Sequence, residues 1–145
     1  MIRMRKTWAT ILLAGLLAPT IAVSTAAAPP DPDIKAATDV VMLQLEAFRR
    51  DDFDTAYTFA SATIRELFDR QAFERMVRSG YPEIARSVSA VVSGSALALN
   101  GSVFLSLRIR GANGNRIEAL YDLVREDGGF RINGVVTKPD TDESA

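Results

Sequence analysis

The chain has 145 residues, 17 Lys plus Arg against 18 Asp plus Glu, 48% hydrophobic residues, and neither cysteine nor histidine. That length suits one small domain. Without Cys there is no disulfide framework, thiolate nucleophile, lipoprotein anchor or thiolate metal site, and without His no imidazole base or ligand, so most familiar catalytic and metal constellations are out of reach.

The N-terminus reads as an export address. Arg3, Arg5 and Lys6 precede an uncharged stretch whose densest apolar part runs from Trp8 to Ala18, followed by Pro19 and by small residues from Val23 to Ala28. A positive start, a short apolar centre and small residues before the cut are the three parts of a secretory signal peptide. The expected cut follows Ala26, since a cut after Ala28 would put Pro29 just beyond the scissile bond. An uncleaved anchor is the alternative, because residues 7–28 carry no charge and about 20 such residues span a bilayer. Pro19 and the Ala/Ser/Thr character of the second half argue against it. Arg5-Lys6 is not a twin-arginine pair, so the general secretory route is expected, with a periplasmic or secreted product.

Loss of residues 1–26 leaves 14 basic against 18 acidic residues, a net of −4. No basic stripe remains for phosphate backbones, so nucleic acid is not an expected partner, and no membrane association is expected after cleavage. The chain divides into a signal peptide (1–26), an extended Pro-rich leader (27–33), a single α+β domain (34–137) and a disordered acidic tail (138–145) carrying Asp140, Asp142 and Glu143.

From Ile34, capped by Asp33, the apolar residues Ile34, Ala37, Val41, Leu45 and Phe48 form a helical stripe that stops at Arg49-Arg50-Asp51-Asp52. Asp52 offers an N-cap to a short helix with Phe53, Ala56, Tyr57 and Ala60, and Ser61 to another with Ile64, Leu67 and Phe68. A fourth helix starts near Asp69, buries Phe73, Met76 and Val77, and stops at Gly80 before Tyr81-Pro82. The period then changes to two. Asn100-Gly101, Asn113-Gly114 and Asp127-Gly128 are hairpin signals that divide the rest into strands near 86–99, 102–110, 115–125 and 129–137. Asn100-Gly101-Ser102 also fits a glycosylation acceptor, but turn chemistry accounts for it.

Pairing around those turns predicts Arg110 opposite Arg116, Ile109 opposite Ile117, Arg108 opposite Glu118 and Leu105 opposite Tyr121. It also pairs Leu123 with Ile132, Asp122 with Asn133, Tyr121 with Gly134, Ala98 with Val103 and Ala96 with Leu105. One sheet face then carries Val92, Ala96, Ala98, Val103, Leu105, Leu107, Ile109, Ile117, Ala119, Tyr121, Leu123, Ile132 and Val136, for the helices to cover. The other carries Arg108, Arg110, Arg116 and Glu118 at one end, with Leu97, Leu99, Phe104, Leu120, Val124 and Val135. Six large apolar residues on an open face call for cover, and a homodimer formed sheet to sheet is the expected arrangement. A bulge near Gly94 or a folded-over C-terminus would account for them otherwise.

Helices followed by a bent four-stranded antiparallel meander resemble the cone-shaped nuclear transport factor 2-like (cystatin-like) superfold. The stretch Asp51-Asp52-Phe53-Asp54-Thr55-Ala56-Tyr57-Thr58-Phe59-Ala60-Ser61, then Arg75 to Pro82, then Phe130-Arg131-Ile132-Asn133-Gly134-Val135, resembles a bacterial family known as domain of unknown function 4864, over roughly residues 35–137. That family often has proline after Phe-Ala-Ser and tryptophan shortly after Tyr-Pro. Ala62 and Ala85 hold those positions here, which implies a wider or reshaped pocket if the tryptophan lines it. The resemblance implies no catalytic residues.

Cone folds of this kind host proton-transfer enzymes that place an acid, His or Tyr inside. The predicted inner face holds one polar group, the Tyr121 hydroxyl, which can stabilise an oxyanion but needs a separate base. Asp54, Asp69, Glu74 and Glu83 have capping or solvent roles open to them, and no acid pair has the convergence of a metal site. No metal, cofactor or catalytic residue is therefore expected. Tyr57, Phe59, Phe73, Tyr81, Arg86 and Tyr121 are the candidate pocket, suited to a small apolar or carboxylate-bearing ligand. The expected function is a non-catalytic small-molecule-binding or protein-interaction domain; the alternative is a proton-transfer or hydrolytic enzyme built on Tyr121.

Overall fold

The computed structural model describes residues 28–141. The expected signal peptide and its cut after Ala26 lie outside those residues, as do residues 142–145 of the expected tail.

Helix α1 (Pro32–Arg49) starts earlier than the stripe suggested, because Asp31 rather than Asp33 caps it. The Asp31 carboxylate accepts from the Asp33 N–H at 2.8 Å, and Pro32 occupies the first turn, where its missing N–H leaves nothing unpaired. Ala37, Val41, Leu45 and Phe48 are its buried side. Helices α2 (Phe53–Thr58), α3 (Ala62–Leu67) and α4 (Arg70–Gly80) start on the expected caps: Asp52 accepts from Thr55 N–H, Ser61 from Ile64 N–H and Asp69 from Ala72 N–H. Gly80 is the last helical residue of α4 and is not left-handed, so Tyr81 and Pro82 make the stop. Pro82 also opens a one-turn helix that periodicity does not reveal, α5 (Pro82–Ala85), which buries Ile84 and Ala85.

Four strands follow, β1 (Ser87–Leu97), β2 (Val103–Gly111), β3 (Arg116–Glu126) and β4 (Gly129–Pro139). They form one antiparallel sheet in the order β1-β2-β3-β4, so the molecule is α+β: helices first, then a meander. The turns obey their residue types. Gly101 and Gly114 sit at φ +86°, and Asp127 and Gly128 are both left-handed, as a two-residue hairpin between Glu126 and Gly129 requires.

The β2–β3 register is the predicted one, from Arg110 opposite Arg116 to Leu105 opposite Tyr121. The flanking pairs each carry a bulge: one near Gly94, the alternative the sequence left open, and one in β4 that the alternation did not show. At the β1–β2 turn Leu97 stands opposite Val103 and Ala96 opposite Phe104, in place of Ala98 with Val103 and Ala96 with Leu105, because the connection is one residue longer than the expected one, and the register shifts again between Val92 and Gly94. In β4 Leu123 keeps Ile132, but Asp122 meets Gly134 and Tyr121 meets Val135, leaving Asn133 as the extra residue. The cause is visible in its partners. Ser61 Oγ donates to Asn133 Oδ1 at 2.9 Å and Asn133 Nδ2 donates to Asp122 at 3.2 Å. Just before it, Ser61 N–H donates to Ile132 C=O and Ile132 N–H to Phe59 C=O, both at 2.8 Å. The α2–α3 junction is thereby stitched onto β4.

These shifts redraw the faces. Val136 leaves the core side and is 71% exposed, while Val135 turns inward and packs against the core. Of the six residues expected to form a dimer face, Phe104, Leu120 and Val124 remain outward. Leu97 stands on the side of Val103, Leu99 lies in the β1–β2 turn, and Val135 faces the helices. The strand β4 also continues through Lys138 and Pro139, opposite Glu118 and Ile117, where a disordered tail was expected. Proline is tolerated there because β4 is an edge strand.

Candidate functional site

Between the helices and the sheet lies a cavity of about 240 Å³. Its floor is buried: Gln44 and Phe48 from α1, Phe73 and Val77 from α4, and Tyr121 and Ile132 from the sheet. Its rim is half-exposed, formed by Ile64, Phe68, Met76, Tyr81, Gly134 and Val135, so the opening lies between the α3–α4 segment and the bulged part of β4. The bulge at Asn133 thus does two things: it sends Val135 to the rim and lets the glycine beside it border the opening.

Of the six sequence candidates, Phe73, Tyr81 and Tyr121 line the cavity. Tyr81 is held by its hydroxyl, 3.4 Å from the Val135 carbonyl. Tyr57 and Phe59 stand behind the wall. The Tyr57 ring packs on Phe73 with centroids 5.2 Å apart and its hydroxyl donates to the Phe68 carbonyl at 2.6 Å, which fixes the end of α3. Phe59 packs against the core while its carbonyl pairs with Ile132. Arg86 is elsewhere. It is exposed and pairs with Asp51 at 3.0 Å, beside Arg78, because the left-handed turn of Asp51 after α1 aims that carboxylate at both guanidinium groups.

Periodicity assigned Phe48, Val77 and Ile132 to the core without showing that they border a space. Gln44 was missed altogether, although one polar residue inside the buried stripe of Val41, Leu45 and Phe48 was a usable signal. Its Nε2 donates to the Ala56 carbonyl at 3.2 Å.

The wall carries no Asp, Glu, Lys or Arg. A ligand carboxylate would therefore meet no counter-charge, and no lining residue can act as a carboxylate base. The polar groups on it are Gln44, Tyr81 and Tyr121. Tyr121 is 1% exposed, its hydroxyl has no hydrogen-bond partner among the described residues, and burial pushes its pKa well above the ordinary tyrosine value. It stays a neutral donor. Among the described residues no three acidic side chains are grouped to hold a metal ion, and no helix is long and apolar enough to cross a membrane.

Residues 30–145 match the model of a family described as domain of unknown function (DUF4864). The chain belongs to the DUF4864 family. Among solved structures, this DUF4864 domain is similar to Aln2 from a Streptomyces species, at a TM-score of 0.52 and 18% identity, covering 78% of this chain and 95% of that one. A second similarity is to a SEC-C motif containing protein from Rhodopseudomonas palustris, at a TM-score of 0.48 and 19% identity over 70% of this chain and 78% of that one. A search of curated proteins gave no match. At these identities the first likeness speaks to the fold alone. Within the DUF4864 fold seen here, Ala62 opens α3 and Ala85 is buried at the end of α5, and neither borders the cavity.

Proposed function

We propose that this DUF4864 domain is exported and binds a small, neutral, largely apolar ligand between its helices and sheet, without catalysing a reaction on it. One observation carries the reading: an apolar cavity whose wall holds a buried tyrosine with an unpartnered hydroxyl. Leaving a buried hydroxyl unpaired costs about 1–3 kcal/mol. A ligand acceptor placed against Tyr121 removes that cost, whereas the apolar lining supplies the bulk of the affinity. The volume lies below the roughly 300–1,000 Å³ of drug-sized sites, which favours a single ring or a short acyl chain with one carbonyl or ether oxygen. A proton-transfer mechanism finds no support, since its base is missing from the wall.

Native mass spectrometry of the protein recovered after export in a bacterial host tests this. A chain starting at Ala27 with a retained neutral mass supports it. A chain of full length, or one that carries no mass and gains no thermal stability from small neutral carbonyl compounds, overturns it.

A homodimer is a second reading, on a smaller patch than the sequence suggested. Leu120 and Val136 are neighbours on β3 and β4, 45% and 71% exposed, and Phe104 and Val124 flank them on the outer face. Sedimentation of wild type against Leu120→Arg is the test: a wild-type dimer that the variant dissociates supports it, and a wild-type monomer removes it.

A further inference from the structure

On the outer face of the sheet, away from the cavity, a shallow groove of about 430 Å³ is lined by Arg108, Arg110 and Arg116 together with Ser89 and Asp140. The register explains the crowding. Ser89, Arg110 and Arg116 form one row across β1, β2 and β3, and Arg108 is the next outward residue on β2. Directly opposed residues have Cβ atoms about 4.5–5.5 Å apart, and like charges in that position are destabilising.

Among the described residues no acid forms an ion pair with Arg110 or Arg116, although Asp140 borders the same groove and its N–H donates to the Arg116 carbonyl at 3.1 Å. Glu118, opposite Arg108, is paired with Lys138 at 3.2 Å. Asp140 approaches Arg108 at 4.0 Å. Arg110 and Arg116 have neither an ion pair nor a side-chain hydrogen bond among the described residues. The groove thus holds two opposed guanidinium groups, Arg110 and Arg116, beside the Arg108–Asp140 pair.

We infer that this groove is a binding site for a doubly charged tetrahedral oxyanion, a phosphate monoester or sulfate, held between Arg110 and Arg116. A single guanidinium satisfies a carboxylate through two parallel hydrogen bonds. Two opposed guanidinium groups, each with one positive charge and neither with an ion pair among the described residues, match a dianion instead, which turns their repulsion into a clamp. Ser89, in the same row, offers a hydroxyl. The site is too short for a polyanion: Val91 and the neutralised Glu118–Lys138 pair bound it along the strands.

The test uses the whole mature chain titrated with inorganic phosphate, then sulfate, at ionic strength held constant with chloride, followed by heat of binding and by arginine Nε–Hε resonances. Binding of phosphate and of sulfate beyond chloride is expected, with the Arg110 and Arg116 signals moving and the affinity falling about tenfold in Arg110→Gln and in Arg116→Gln. Arg110→Lys, which keeps charge but not the fork, should lose less. Retention on phosphatidylcholine vesicles containing phosphatidic acid would identify a lipid headgroup as the source, and binding of soluble phosphate without retention a free phosphate; both outcomes support the site. No response beyond chloride overturns it, as does a response undiminished in the double Gln variant while both chains remain folded by circular dichroism. Binding seen only after Asp142→Asn with Glu143→Gln would also overturn it, since the chain's own acidic end would then be the occupant.

Discussion

Val135 stands opposite Tyr121 across β3 and β4, one place out of the register that plain alternation gives, because Asn133 is bulged out between Ile132 and Gly134. Neighbouring valines therefore have opposite environments, Val135 at the cavity rim and Val136 facing out. An aspartate at each position reads the bulge directly. Val135→Asp puts a charge against the core and should cost about 2–4 kcal/mol, whereas Val136→Asp should cost about 1 kcal/mol or less, a strand-propensity effect at an edge. Urea denaturation of the two variants checks the order; the reverse order would restore the unbulged register.

Tyr121→Phe separates a structural tyrosine from a ligand-binding one. The hydroxyl is buried without a partner among the described residues, so deleting it should leave the empty protein as stable as wild type or more stable, by up to about 1–3 kcal/mol. The same change should weaken a carbonyl ligand about five- to tenfold, the worth of one hydrogen bond. Thermal unfolding with and without the ligand recovered from the exported protein reads both signs. A destabilised empty variant would mean that the hydroxyl has a partner in solution.

The alkaline limb of the stability curve follows from the same residue. Burial raises the folded-state pKa of Tyr121 above its ordinary value of 10.0. Below that value both folded and unfolded chains hold the proton, and stability from this group is complete. As pH rises past it the unfolded chain loses the proton while the folded one keeps it, so stability falls with the slope of one proton. Comparing wild type with Tyr121→Phe between pH 9 and 11 should show the difference opening above about pH 10. Parallel curves would mean that the hydroxyl is hydrated.

The β2–β3 hairpin was legible because two independent signals agreed there: a turn at Asn113-Gly114 and apolar-with-apolar pairing along its length. The β1 bulge was legible only as an alternative near Gly94 and the β4 bulge not at all, because one extra residue leaves the composition of a strand unchanged and only its partners reveal it. Asn133 reads as an ordinary outward residue until Ser61, 72 positions away, is found bonded to it. The cavity was partly legible for a related reason. Aromatic residues mark where a core is rich in surface, but whether Phe73 and Phe59 border a space or fill one depends on how α3 sits on β4, and α3 buries none of its own residues.

Ser61 joins these parts. It is fully buried, caps α3 by accepting from Ile64 N–H at 3.2 Å, and donates to Asn133 Oδ1 at 2.9 Å. Ser61→Ala should cost about 1–2 kcal/mol from the lost cap, more if Asn133 is left unpaired. Because the same hydroxyl fixes the bulge behind the rim, the variant should also loosen the cavity mouth. Faster amide exchange confined to α3 and residues 132–135 is the expected signature, and uniform change across the domain would contradict it.

Part of the acid sensitivity should lie on the outer side of α4, with Asp52 and Glu83 the other carboxyls held below their ordinary values. Arg70 donates to Glu74 at 2.6 Å and Arg78 to the other oxygen at 2.9 Å, and these bonds, that from Arg70 foremost, hold the Glu74 carboxyl below its ordinary value of 4.5. The stability it contributes is present above that value and is lost as pH falls through the lowered folded-state pKa, when protonation removes the acceptor from both arginines. Those arginines also lie over Phe53, with Arg78 4.4 Å from the ring centroid, so the carboxylate indirectly positions the cover of a buried aromatic. Glu74→Gln should lower stability at neutral pH and flatten its decline below pH 4.5, since the amide has no proton to gain. Equilibrium unfolding from pH 6 to pH 3 measures this, and a variant as acid-sensitive as wild type would move the responsible carboxylate elsewhere.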